Sequence, residues 1–319
     1  MAKKSKQTER TFASYFAEWI ATYKEGAIAE ISVNKYYYAL DFILQTIPSL
    51  KIKDLDRRAY QNVLNEYAKT HERQTTMDFH HQVKSCIQDI FHDGLIERDP
   101  TYKAVIKGRP PVRKKKKKFL QKEELRKLIS SLDLSPEISI DWFILIIAKT
   151  GLRYAEALAL TPADFDWSAR TLRVNKTWNY KSTQGGFKST KTTSSERTIS
   201  IDFQIVGQFQ LVIKDLPANE PIFVEKFEDG SYKRQFNSTY NHFLVSECKH
   251  LGITPISLHG LRHTHASVLL AAGVSIHSIS ARLGHANIGV TQETYAHVLD
   301  ELQRKDDEKM LGALMQLSS

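Results

Sequence analysis

Hydrophobic residues in the first hundred positions recur at helical spacing. From Thr11 onward, Phe12, Tyr15, Phe16, Trp19 and Ile20 fall at i, i+3, i+4, i+7 and i+8, which makes one apolar stripe. A second helix is expected from a cap at Ser32, carrying Tyr36, Leu40, Phe42 and Ile43 until Pro48 stops it. A third runs from about Leu55 through Tyr60, Val63, Leu64 and Tyr67. A fourth follows Thr75, with Phe79, Val83, Cys86, Ile87, Ile90 and Phe91 on its apolar side. Four amphipathic helices joined by short loops predict a small helical bundle over residues 11–108, preceded by a basic tail over residues 1–10 that has no order of its own.

The pattern then breaks. Arg109-Pro110-Pro111-Val112-Arg113 leads into Lys114, Lys115, Lys116, Lys117 and Lys118. A run that is stiffened by proline and repels itself cannot sit inside a packed domain, so residues 109–120 read as an interdomain linker. Apolar helical spacing resumes at Gln121 to Leu132 and at Ile138 to Lys149, the latter buried. Thr171 to Val174 and Arg197 to Ile201 alternate with period two, and Gln184-Gly185-Gly186 supplies a turn between strands. Helices return at about Phe203 to Asp215 and Asn237 to His250. The expected fold is mainly α with a small antiparallel β-sheet: a helical N-terminal domain, then an α+β domain over residues 121–319.

Charge narrows the class of partner. The chain of 319 residues carries a net charge of +9, which favours an anionic partner, nucleic acid first and a membrane surface second. No apolar run approaches the ~18 residues of a spanning helix, and Met1-Ala2-Lys3-Lys4-Ser5-Lys6 has no apolar stretch behind it, so an intracellular, cytoplasmic location is expected. Cys86 and Cys248 lie in different helical patterns, which argues against a disulfide scaffold or a Cys-based zinc site. The lysine run is either a solubilising tether or a strap along a phosphate backbone; in an already basic two-domain protein the strap is the better reading.

Against this background, several short motifs point to phosphate chemistry. In Thr150-Gly151-Leu152-Arg153, Gly151 suits a helix C-terminal turn with positive φ and Arg153 opens the next helix, where Glu156 one turn on can brace its guanidinium. Lys191 projects from a polar hairpin tip between Ser189 and Arg197. Then come His259-Gly260-Leu261-Arg262-His263-Thr264-His265, Leu283-Gly284-His285, and Tyr295 followed by Ala296-His297. Each motif alone has an ordinary reading: a helix corner with a surface ion pair, an edge-protecting lysine, half-buried polar groups. A metal centre built on His259, His263 and His265 lacks the His-Glu-x-x-His arrangement and a further ligand, so no metal or other cofactor is expected.

Arg153, Lys191, His259, Arg262, His285 and Tyr295, in that order and each in its own motif, resemble the signature of the tyrosine recombinases, the phage integrase family. The helical N-terminal region and the basic linker, Arg113 and Lys114 to Lys118, are similar to the core-site DNA-binding domain and strap of integrases from phages and conjugative transposons of Gram-positive bacteria. The resemblance implies a site-specific recombinase that cuts and rejoins double-stranded DNA at attachment sites through a 3′-phosphotyrosyl intermediate and a Holliday junction. It also implies a homotetramer on DNA with C-terminal tail contacts between protomers, and accessory DNA-bending or excision proteins. Many such integrases carry a small arm-site-binding domain ahead of the bundle. Here the helical pattern begins almost at once, so either that domain is lacking or the chain is part of a longer protein.

The residue types suit this chemistry. Two guanidiniums, Arg153 and Arg262, can clamp the non-bridging oxygens of a phosphodiester as charge develops there. Tyr295 is the expected nucleophile, its phenol lowered from the ordinary value of about 10 by the arginines. Lys191 would protonate the leaving 5′-oxygen, with Lys188 a rival on the same hairpin. His259 would assist proton transfer with Tyr295, and His285 would hydrogen-bond the phosphoryl oxygen. Covalent storage of bond energy needs no ATP, and no Gly-x-x-x-x-Gly-Lys loop occurs. A type IB topoisomerase would use the same groups to relax DNA, and an architectural DNA-binding protein would leave Tyr295 idle.

Overall fold

The apolar stripes of the N-terminal third fold onto one another. In the computed structural model, which describes residues 7–110, 119–190, 193–296 and 298, the chain divides into two compact units, Met1–Lys115 and Lys116–Ser319. The first holds α1 (Phe12–Tyr23), α2 (Glu30–Thr46), α3 (Arg57–Ala68) and α4 (Arg73–His92). Thr11 caps α1 by accepting from the Ser14 N–H, and Asp56 caps α3 by accepting from the Ala59 N–H. Phe16, Ile20, Ile43, Ile52, Cys86, Ile87 and Ile90 are fully buried in its core.

Two helices begin earlier than expected. The second starts at Glu30 rather than after Ser32, and the fourth at Arg73 rather than after Thr75. In neither case does a side chain cap the helix, so the helix starts are set by chain entry and packing, to which a search for capping residues is blind. Residues 7–10 are not loose either. Arg10 pairs with Glu18 at 2.6 Å, and Glu9 pairs with Lys51 and Lys53. At the other end Gly108 runs so close to the start of α4 that a Cβ there would meet the Arg73 nitrogen at 2.1 Å, and the Arg109 N–H donates to the His71 carbonyl.

The second unit packs α5 (Lys122–Ser131), α6 (Ile140–Thr150) and the short α7 (Tyr154–Leu158) against later helices α8 (Gln210–Ile213), α9 (Asn237–His250), α10 (Leu258–Ala271) and α11 (Ile276–Leu283). A π-helical turn, Ile205–Phe209, leads into α8, so the helix expected over 203–215 is irregular in its first half. Residues 288–296 are again helical. Between α7 and α8, among the described residues, lie five short antiparallel strands in two sheets rather than one. In the first, β1 (Phe165–Asp166), β2 (Thr171–Val174) and β5 (Arg197–Ser200) pair in the order β1-β2-β5, with Leu172 opposite Ile199. In the second, β3 (Lys176–Trp178) pairs with β4 (Phe187–Ser189). Among the described residues no helix is long and apolar enough to cross a membrane.

The core of this unit is α6, buried along almost its whole length because Trp142 to Ala148 are all apolar. Against it lies α10, tied to the incoming chain by one fully buried side chain. Thr264 donates to the Gly260 carbonyl at 2.9 Å and accepts from the Leu120 N–H at 2.8 Å. A Thr264→Val substitution keeps the shape and strands that N–H. It should destabilise the C-terminal unit by about 1–3 kcal/mol in urea unfolding, against little change for an exposed threonine such as Thr183.

Candidate active site

Two left-handed glycine turns frame the site. Gly151 (φ 71°) ends α6 and Gly284 (φ 66°) ends α11, each presenting helix C-terminal carbonyls that have no partner within the helix. Arginines take them. Arg262, from α10, donates through Nη1 to the Gly151 carbonyl and through Nη2 to the Leu283 carbonyl, both at 2.7 Å. Arg153 donates to the Gly284 carbonyl at 3.1 Å, and Arg197, on β5, donates through Nε to the Arg282 carbonyl at 2.6 Å. Cations at helix C-termini also gain from the negative end of the helix dipole.

One carboxylate sits among these guanidiniums. Glu156, 2% exposed, pairs with Arg153 at 2.7 Å and Arg197 at 2.9 Å, lies 4.0 Å from Arg262, and accepts from the Arg153 backbone N–H at 2.9 Å. Burial pushes its carboxyl up, but the hydrogen bond and charge of Arg197 and the charge of Arg153 outweigh that and hold it below the ordinary 4.5. For Arg262, burial is the largest influence, followed by Arg153; together they push it down to about 9, so it stays charged at neutral pH. Three guanidiniums against one carboxylate leave the site positively charged. Arg153 and Arg262 border a cavity of about 350 Å³ shared with His259, Tyr180, Asn237 and Asn241.

The imidazoles are sorted by their bonds. His285 Nε2 accepts from Arg262 Nη2 at 3.0 Å, so Nδ1 carries the proton and donates to the Thr291 hydroxyl at 2.8 Å. Burial, then the charges of Arg262, Arg153 and Arg197, push it down to about 4, so the ring is neutral at physiological pH. His265 donates from Nδ1 to the Ala148 carbonyl and accepts at Nε2 from Arg282, a structural role away from the cavity. His259 is exposed and meets the His263 ring edge to face at 4.3 Å between centroids. Among the described residues no three His, Cys, Asp or Glu side chains are grouped to hold a metal ion.

Tyr295 departs from expectation. Its side chain is 1% exposed, and burial pushes the phenol up to about 12, with Arg262 acting in the opposite direction but losing. The expected lowering overlooked burial, which a one-dimensional reading cannot see. Its hydroxyl bonds to His263 Nδ1 at 2.9 Å rather than to His259. Arg197 was missed as well: the alternation that marks β5 as a strand hides that its first residue turns inward to Glu156, and its side chain is only 6% exposed. Lys191, Arg113 and Lys114 to Lys118 lie outside the described residues. Lys188 is exposed on β4.

A positively charged cavity with paired arginines suits an anionic ligand; Tyr295 does not line it but lies near enough to Arg262 for their charges to act on each other. The chain belongs to the phage integrase family, which matches residues 118–301. It is 28% identical over 228 residues to the ICEBs1 integrase of Bacillus subtilis, covering 69% of this chain and 60% of that one. To the transposase of transposon Tn916 from Enterococcus faecalis it is 26% identical over 297 residues, covering 85% of this chain and 70% of that one. Its fold is that of the Tn1549 transposon integrase solved with a circular-intermediate DNA, at a TM-score of 0.74 and 18% identity over 94% of this chain and 99% of the other. The chain is thus a member of the tyrosine recombinase (phage integrase) family.

The Glu156 cluster makes a stability prediction. Glu156→Gln removes the one carboxylate that, among the described residues, all three guanidiniums approach, and should cost about 3–5 kcal/mol at pH 7. Because the folded carboxyl lies below its unfolded value, the wild-type advantage is present above pH 4.5 and is lost as pH falls through the folded value. Urea unfolding of both proteins from pH 7 to pH 4 should therefore show the gap narrowing toward acid; a gap independent of pH would contradict the account.

Proposed function

We propose that this chain recombines DNA at the attachment sites of a mobile element, cutting and rejoining strands through a 3′-phosphotyrosyl intermediate and a Holliday junction. The observation that carries the reading is the pair of guanidiniums, Arg153 and Arg262, held on one cavity wall by helix carbonyls and Glu156, with Tyr295 close enough for Arg262 to act on its phenol. Preset donors of this kind need no reorganisation when charge builds on the non-bridging oxygens. Tyr295 Oη attacks phosphorus, the bond from phosphorus to the 5′-oxygen breaks, and Lys191 gives that oxygen its proton. His285, once protonated at Nε2, turns from Arg262 to donate to the phosphoryl oxygen when DNA arrives. Arg113 and Lys114 to Lys118 lie along the backbone of double-stranded DNA as a strap.

Recombination needs several copies. We place the C-terminal tail, whose Leu302, Leu311, Leu314 and Met315 are apolar, on a neighbouring protomer in a homotetramer on DNA. A groove of about 820 Å³ lined by Leu125, Ile129, Val268, Leu269 and Ile279 offers an apolar surface to receive it. Accessory DNA-bending or excision proteins would set direction.

Incubation in EDTA with a suicide duplex carrying candidate attachment sites should give an SDS-resistant protein–DNA adduct. Tyr295→Phe should abolish it, and Arg262→Ala should slow it by about 100-fold or more, the loss of about 3 kcal/mol of charge stabilisation. Lys191→Ala should slow it far more than Lys188→Ala. Tight, salt-sensitive binding with no adduct would favour an architectural protein, and relaxation without dependence on a site would favour a topoisomerase.

Deletion from Lys305 onward should leave binding to a single half-site unchanged and reduce tetramers on paired sites, seen by native gel or mass photometry. Unimpaired tetramers would remove the tail from the interface.

A further inference from the structure

We propose that His263 is the immediate acceptor of the Tyr295 phenolic proton, while His259 serves the phosphate side of the cleft. The inference rests on Tyr295 being the nucleophile. α10 presents His259, Arg262 and His263 within one turn and a half. Arg262 runs to the Gly151 and Leu283 carbonyls, whereas His263 turns to the helical segment 288–296 and meets the Tyr295 hydroxyl through Nδ1 at 2.9 Å.

A phenol that is 1% exposed cannot lose its proton to bulk water, so the acceptor has to be built in. The neighbours narrow the choice. Arginines cannot accept. His285 is engaged on both nitrogens, by Arg262 and by Thr291. His259 lines the cavity with Arg153 and Arg262, and its ring is one step removed from the phenol, against the face or edge of His263. The three side chains therefore run from a buried hydroxyl through a half-buried imidazole to an exposed one. Burial that lifts the phenol makes a partner of this kind more necessary.

The step balances without any further reagent. As Tyr295 Oη bonds to phosphorus, its proton passes to His263 Nδ1, giving an imidazolium. The bond from phosphorus to the 5′-oxygen breaks, and that oxygen takes its proton from Lys191. In rejoining, an incoming 5′-hydroxyl returns a proton to Lys191 and the imidazolium returns its own to the departing phenolate.

Single-turnover adduct formation by the full chain tests this, using a suicide duplex with either an ordinary scissile phosphodiester or a 5′-bridging phosphorothiolate. His263→Ala and His263→Asn should both slow adduct formation by about 100-fold, while DNA affinity holds. The sulfur leaving group, which needs no proton, should rescue Lys191→Ala and leave both His263 variants slow. Added imidazole should restore part of the rate to His263→Ala. Asn can hold the phenol in place but cannot carry its proton, so near wild-type cleavage by His263→Asn would overturn the proposal, and rescue of the His263 variants by sulfur would do the same. If His263→Ala does not fold, His263→Asn alone decides. An adduct formed by Tyr295→Phe would instead sink the nucleophile reading; its loss there, with wild-type rates in both His263 variants, would sink only the role of His263.

Discussion

The second unit depends on one buried carboxylate. Arg153, Arg197 and Arg262 reach a common point from the start of α7, the first position of β5 and α10, and Glu156 is the full negative charge that offsets the repulsion between the two buried guanidiniums and the partly exposed Arg153. Helix C-terminal carbonyls help but are only partial charges. Breaking a buried ion cluster by removing one partner is costly because the charges left behind have lost their water. The same net positive charge that makes the cluster expensive in the free protein suits it to a phosphodiester. Stability and anion recognition are here two faces of one imbalance.

Burial acts on the other groups with opposite chemical results. It keeps His285 neutral, so in the free protein this ring accepts from Arg262 and cannot donate to an oxyanion. It also raises Tyr295, so the phenol is a poor nucleophile at rest. Both are at odds with a site that is always poised. On the proposed function, a bound phosphate would draw the Arg262 donors and favour a protonated His285 imidazole, whereas its own charge would not lower the Tyr295 phenol, which still needs a proton acceptor.

Much of this was legible in the chain. Apolar spacing located the four N-terminal helices, and α9 runs over the residues expected, Asn237 to His250. The Gly151 turn was readable because only a residue without a Cβ enters that conformation easily. Arg197 was not readable, since strand alternation says which face a residue takes but not what waits there. His263 was set aside with the metal reading, which grouped it with His259 one turn away; the sequence shows that the two share a helix face but not that a phenol waits beside one of them. The direction of the Tyr295 shift was misjudged for the same reason: charge is visible in a sequence and burial is not.

The two glycine motifs are one device used twice. At Gly151 a Cβ would meet the His265 ring at 2.7 Å, and at Gly284 one would meet Arg197 Nη1 at 2.9 Å, so both turns need positive φ and close approach together. Each turn ends a helix, frees its carbonyls and brings them against an arginine from elsewhere: Gly151 serves Arg262, and the 282–284 turn serves Arg197, Arg262 and Arg153. Arg262 is the residue common to both turns and so fixes the distance between α6 and α11. A lysine at that position would be a single point donor and could not bridge them, because only a planar fork reaches two carbonyls and an imidazole at once. The pattern Thr-Gly-Leu-Arg and Leu-Gly-His thus records where helix ends must lie for a guanidinium to be held still, and the chemistry that the cleft can perform follows from that immobility.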